Sequence, residues 1–216
     1  MALCSRWIGI WAVWLMAVAG LGADDLGARL DALMTAHAER LDFQGAVLVA
    51  RRGTVLYRRT FGLANREWQV PHTVDSVFRI GSLSKPFTAL VVMKLVEEGR
   101  LSPDAHLSQY LKGFPRDKGD RITIRQLLTH TAGIAHYPQA PEYEAWMERL
   151  PGDADEMIAY WGRMDLLHEP GTRFSYSSFG YNLLAYVCEA VEGKPFGSIL
   201  EEKIFGPLGM CHTALI

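Results

Sequence analysis

The sequence predicts an α+β fold, with one β-hairpin near its start and helices after it. Three observations carry this. GAVLVA (45–50) and TVLYRRTFG (54–62) flank Arg52-Gly53, which is how two strands joined by a tight turn read. Beyond residue 80 the apolar residues shift to a three-to-four spacing, the period of helices. Proline and glycine then bracket the apolar runs, as Pro86 and Gly99 do around residues 82–99.

The elements follow in order. Residues 1–23 are set apart: one positive charge in Met1–Arg6, no charge from Trp7 to Ala23, and small residues at the end. That is the pattern of a secretory signal, with cleavage expected between Ala19 and Ala23. About 17 apolar residues is the lower limit for crossing a bilayer, so a retained anchor is the other reading. Both readings export the rest of the chain, to a periplasmic or extracellular location. Leu26, Leu30, Leu33, Met34, His37 and Leu41 share helical spacing, so an amphipathic helix opens the mature chain before the hairpin.

After the hairpin, a helix is predicted over 82–99, a short one in ITIRQLLTHTAG (122–133) ending at Gly133, and one around 153–164. FGYNLLAYVCEAVEG (179–193) places Leu183, Leu184, Val187, Cys188 and Val191 on one side, and a last helix is expected over 195–205. A lone hairpin is marginal without further strands or covering helices.

Composition narrows the function. The 216 residues are 49% hydrophobic and 21% charged, a globular balance, and the formal net charge of −2 favours neither a nucleic-acid partner nor an anionic membrane surface. A membrane role is left only to the N-terminal segment. Of the three cysteines, Cys4 leaves with a cleaved signal, and Cys188 and Cys211 are expected as unpaired thiols. His130 and His136 lack a third ligand at a recognisable spacing, so no metal is expected; His130 reads as a structural residue at a helix end. Tyr143, Trp146, Tyr160 and Trp161 read equally as cleft lining or core. Asp165 and Glu169 precede Tyr176 without any testable carboxylate pairing.

Ser82 and Lys85 stand three apart in FRIGSLSKPFTA (78–89). On a helix that spacing brings the two side chains together, and the Ser82 N–H would lie at the positive end of the helix dipole. A serine needs a partner to become a nucleophile. By spacing alone, a serine helix cap followed by a solvated lysine is the commoner reading.

The surroundings decide between these. FRIGSLSKPFTA resembles the Ser-x-x-Lys motif of the serine β-lactamase and penicillin-binding protein superfamily. The likeness is strongest to the branch holding class C β-lactamases, D-Ala carboxypeptidases and esterases. Four further segments match that branch in order: GAVLVARRGTVLYRRTFGLAN (45–65), ITIRQLLTHTAGI (122–134), EPGTRFSYSSFGYNLLAYVCEAVEG (169–193) and IFGPLGMCHTAL (204–215). The resemblance spans nearly all of residues 25–216.

It implies a β-lactamase/transpeptidase-like fold, an antiparallel sheet flanked by helices with an inserted helical region. Residues 24–216 would be the N-terminal portion of such a domain, with the C-terminal strands of the sheet missing. It implies acyl transfer through an acyl-enzyme on a β-lactam, a D-Ala-D-Ala-type peptide or an ester, with no metal or organic cofactor. By the same resemblance, Ser82 is the acylated nucleophile, Lys85 its proton partner and Tyr176 a general base or proton shuttle. Ser178 occupies the substrate-binding asparagine position of the family's Tyr-x-Asn element, and the shorter side chain implies an altered substrate preference. The family's third motif, Lys-Thr-Gly or His-x-Gly, does not occur in the sequence. A catalytically inactive chain of the same fold, acting as a binding module, is therefore the alternative expectation.

Overall fold

In the computed structural model, which describes residues 23–136 and 154–215, Arg52 and Gly53 both take positive φ (52° and 78°). Two-residue hairpin turns of the primed type need that conformation, because its twist matches the strands. The turn joins β1 (Gly45–Arg51) to β2 (Thr54–Phe61) as an antiparallel pair, with Gly45 opposite Phe61 and a bulge between Val49 and Ala50. The predicted first helix is α1 (Ala23–Leu41), and β2 is tied to it: Tyr57 Oη donates to Asp31 Oδ1 at 3.0 Å, and Arg59 pairs with the same carboxylate. Leu26, Leu30 and Met34 are half-buried, whereas Leu33, His37 and Leu41 of the expected apolar face are exposed. A second antiparallel pair, β3 (Leu63–Asn65) and β4 (Val70–Pro71), follows. These elements form one compact unit ending at Phe78; Arg79–Ile216 forms another.

The second unit is helical. A 3₁₀ turn, Gly81–Ser84, leads into α2 (Lys85–Glu97), with Pro86 in its first turn. Short helices α3 (Arg116–Gly119) and α4 (Ile124–Leu128) follow, then α5 (Ala154–Arg163), α6 (Ser178–Glu192) and α7 (Phe196–Leu200), which runs into a π-helical turn, Glu201–Phe205. The core joins Val91, Val92 and Leu95 of α2 to Leu183, Leu184, Val187 and Cys188 of α6, all with no exposed surface. Burying an aliphatic side chain of this size is worth about 1.5–3 kcal/mol. The predicted face of α6 is therefore the one that packs. Trp161 also lies in this core beside Phe179, with Tyr160 partly buried against it, so both serve packing. Tyr143 and Trp146 lie outside the described residues, as do residues 1–22 of the segment expected to be a signal.

Two helix boundaries differ from expectation. The predicted helix over 82–99 begins as a 3₁₀ turn, and its α-helical part starts only at Lys85. The helix expected to run to Gly133 stops at Leu128. A capping box between Thr123 and Gln126 starts it, and His130 at φ 56° turns the chain left-handed two residues after it ends. From there residues 130–135 run alongside residues 167–177. Ser175 N–H donates to His130 O (2.7 Å), Gly171 N–H to Thr131 O (2.8 Å) and Leu167 N–H to Gly133 O (2.8 Å).

Gly133 makes this pairing possible. Its φ is 77°, and a Cβ there would lie 2.5 Å from His168 O. Gly193, which ends α6 at φ 71°, has open space around it. Both positions carry the left-handed penalty of about 1–2 kcal/mol for a side chain, but only Gly133 adds a backbone clash. We expect Gly193→Ala to lower the urea-unfolding free energy by about 1 kcal/mol and Gly133→Ala by on the order of 3 kcal/mol. Equal losses would show that segment 130–135 is not held tightly against residue 168.

Candidate active site

The 3₁₀ turn decides how Ser82 meets Lys85. With three residues per turn, side chains at i and i+3 eclipse, closer than on an α-helix. Lys85 Nζ accordingly donates to Ser82 Oγ at 3.1 Å. The carbonyl ladder of the turn begins one residue after Ser82, with Leu83 N–H on Ile80 O at 3.1 Å.

The other half of the site comes from the start of α6. Tyr176 Oη lies 2.6 Å from Ser82 Oγ, and Lys85 Nζ also donates to Ser178 Oγ at 3.2 Å. All four residues singled out by the sequence converge: Ser82, Lys85, Tyr176 and Ser178. A hydroxyl has one proton to give. Because Ser82 Oγ accepts from Lys85, its own proton is free to point at Tyr176. Ser82 is exposed, Lys85 half-buried and Ser178 buried, so the Ser82 hydroxyl faces outward above the Lys85–Ser178 pair. Ser82, Lys85 and Ser178 open onto a cavity of about 670 Å³, walled by Phe87, Tyr181, Asn182 and Phe205.

Charge follows from this geometry. Lys85, the largest influence, and Ser82 hold the Tyr176 phenol below its ordinary value of 10.0 against the opposing effect of burial, with Ser178 adding to them. The Lys85 Nζ sits 4.9 Å from the Tyr176 ring centroid and 5.8 Å from that of Tyr181. Tyr181 goes the other way: burial pushes its phenol up, and Tyr176 adds to the rise. Its hydroxyl donates to Leu128 O at 2.9 Å, so it serves as a wall rather than an acid or base.

The Tyr176–Ser178 element is pinned by its neighbours. Ser177 caps α6 by accepting the Gly180 N–H (3.1 Å) and donates its own hydroxyl to Ala135 O at 2.8 Å. The Ser177 N–H donates to His130 Nδ1 (3.1 Å) and the Ser178 N–H to His136 Nδ1 (3.4 Å). Composition and spacing pointed to His130 only as a structural residue; its bond to Ser177 bridges 47 positions of sequence, beyond what local pattern reports. The capping role of Ser177 was legible in principle, as a serine directly before a strong helical run.

The remaining candidates lie elsewhere. Glu169 pairs with Arg121, and Asp165 is exposed. Cys188 is buried, with its thiol pushed up to about 12 by burial, and Cys211 is an exposed free thiol. Among the described residues no cluster of His, Cys, Asp or Glu is arranged to hold a metal ion, and no helix is long and apolar enough to cross a membrane.

Residues 30–216 match the model of the Beta-lactamase family. The chain belongs to that family. Penicillin-binding protein 4* of Bacillus subtilis (strain 168) is 34% identical over 192 residues, covering 85% of this chain and 40% of its own length. Esterase EstB of Burkholderia gladioli is 34% identical over 203 residues, covering 88% of this chain and 52% of its own. A solved class C β-lactamase superposes with a TM-score of 0.75 at 25% identity, over 90% of this chain and 52% of its own. The chain thus has the β-lactamase/transpeptidase-like fold and spans about half the length of the relatives it matches. The matched residues 30–216 include Ser82, Lys85, Tyr176 and Ser178.

Burial, and after it Lys85, depress the titration of His130 and His136 below 6.5; for His130 the neighbouring His136 adds to the effect. In the window just below 6.5 the unfolded chain therefore binds more protons than the folded one, and stability falls as pH falls. We expect the urea midpoint of the wild type to drop between pH 7.5 and pH 5.5, and His130→Asn to drop less. An equal drop would show that His130 does not titrate with folding.

Proposed function

We propose that the chain carries the acylating centre of an exported serine hydrolase that works through an acyl-enzyme. The observation that carries this is the unbroken contact from Lys85 Nζ to Ser82 Oγ to Tyr176 Oη, at 3.1 and 2.6 Å. Ser82 Oγ attacks a carbonyl carbon; the Oγ–C bond forms as the Oγ–H bond breaks, and the proton goes to Tyr176 Oη. Lys85 favours the phenolate that accepts it. The Ser82 N–H, ahead of the ladder of its turn, faces the developing oxyanion. As the tetrahedral centre collapses, the proton passes from Tyr176 to the departing nitrogen or oxygen. Water then repeats the sequence: its proton goes to Tyr176, its oxygen bonds to the carbonyl carbon, and Ser82 leaves with the proton.

The substrate class is a β-lactam, a D-Ala-D-Ala-type peptide or an ester, small or peptidoglycan-like, and nothing in the mechanism calls for a metal or organic cofactor. Support comes from relatives named as penicillin-binding protein and as esterase. Ser178 acts here by holding Lys85, and its hydroxyl is too short to offer the paired amide donor and acceptor of an asparagine. That favours esters over amide-bearing substrates. The N-terminal pattern of residues 1–23 supports export.

Incubation with a fluorescent penicillin and with an activated phosphonate ester, read by intact mass, tests the reading. One adduct per chain is expected, absent in Ser82→Ala and formed about 10²–10⁴-fold more slowly in Tyr176→Phe. Folded protein that takes neither reagent would instead be a binding module of the same fold.

A further inference from the structure

His130 has three features that its place at a helix end does not explain. Its Nδ1 lies 3.1 Å from the Ser177 nitrogen, next in chain to Tyr176. A backbone N–H can only donate, so Nδ1 carries no proton and the neutral ring holds its hydrogen on Nε2. Its ring lies against the phenol of Tyr176, with centroids 4.6 Å apart, and against Tyr181 at 5.0 Å. Its φ of 56° places it in the left-handed region, which histidine and asparagine tolerate better than most residues. In that conformation its carbonyl accepts the Ser175 N–H at 2.7 Å, on the other side of Tyr176. His130 therefore holds the backbone on both sides of the tyrosine and backs its ring.

We propose that His130, as the neutral Nε2–H imidazole, is a positioning residue that sets where Tyr176 Oη stands relative to Ser82 and Lys85. The proposal rests on the acylation chemistry given above only for its kinetic readout. The requirement is steep because a hydroxyl 2.6 Å from the nucleophile has little tolerance: a misplacement of about 1 Å costs on the order of 10² in rate. The charged and titratable groups facing the ring are Lys85 from α2, His136 from its own segment, Tyr176 and, from α6, Tyr181, with the Phe174 ring edge-on at 5.8 Å. A proton on Nδ1 would remove the acceptor for Ser177 and set a second cation near Lys85.

Substitutions separate the ring from the backbone. Glycine accepts φ 56° without strain, so His130→Gly removes the imidazole alone. Asparagine tolerates the same φ and places its carbonyl oxygen near the position of Nδ1, whereas glutamine carries it one carbon further. Three readouts are taken on the full chain: Ser82 acylation by the phosphonate ester, the Tyr176 titration by ultraviolet difference against Tyr176→Phe, and the histidine tautomer by ¹⁵N NMR. We expect an Nε2–H tautomer in the wild type. We also expect acylation about 10²-fold slower in His130→Gly and His130→Gln, with unchanged half-saturation and the Tyr176 midpoint moved up toward 10. His130→Asn should recover both.

A wild-type Nδ1–H tautomer, or asparagine and glutamine variants alike in both readouts, overturns the proposal even if His130→Gly fails to fold. A wild type that is not acylated rejects the hydrolase reading alone. The Tyr176 midpoint and the tautomer then still decide on His130, expected to move and to be Nε2–H respectively; a midpoint insensitive to His130 overturns the proposal.

Discussion

The site depends on one ammonium group. Lys85 Nζ donates to Ser82 Oγ and to Ser178 Oγ at 3.1 and 3.2 Å, and it lies within 5 Å of the Tyr176 ring. Three hydroxyls from two distant stretches of chain are thereby oriented by a single charge. Each hydrogen bond to a charged group is worth about 1.5–3 kcal/mol, more than the neutral bonds around it. Remove that charge and Ser82 keeps only its contact with Tyr176, Ser178 loses a partner, and the phenol loses the cation that favours its ionised form.

The rest of the second unit holds that charge and its partners in register. Burial of Val91, Val92 and Leu95 against Leu183, Leu184 and Val187 fixes α2, which carries Lys85, beside α6, which begins at Ser178. At the far ends of the same two helices, Arg100 and Lys203 both pair with Glu192, and Lys203 also with Glu98. These charges are only partly exposed, so they join the helix ends more firmly than a solvated pair would. The segment 130–135 supplies the last constraint, a run of backbone bonds to residues 167–175 that ends at Ser175, next in chain to Tyr176.

Much of this was legible in the sequence, for physical reasons that differ from element to element. The hairpin announced itself because Arg52-Gly53 is a turn that flanking strands require, and α6 because its apolar residues recur at the helical period. Ser82, Lys85, Tyr176 and Ser178 were legible only as part of five ordered segments; spacing alone favoured a capped helix with a surface lysine. What stayed hidden was long-range or conformational. The eclipsed Ser82 and Lys85 depend on a 3₁₀ turn, which local pattern does not separate from the first turn of an α-helix. The early end of α4 depends on His130 adopting positive φ, and that choice is made by partners 45 to 47 residues away, Ser175 and Ser177.

The most direct test of the central claim is the ionisation of Tyr176 with and without the Lys85 charge. Ultraviolet difference titration of the chain against Tyr176→Phe isolates that one phenol, and the same difference in a Lys85→Met background removes the ammonium at nearly constant volume. The expected result is a midpoint below 10.0 with Lys85 present and a return to 10.0 or above without it. A midpoint that is the same in both backgrounds would contradict the account, because Tyr176 would then owe nothing to the charge around which the site is built.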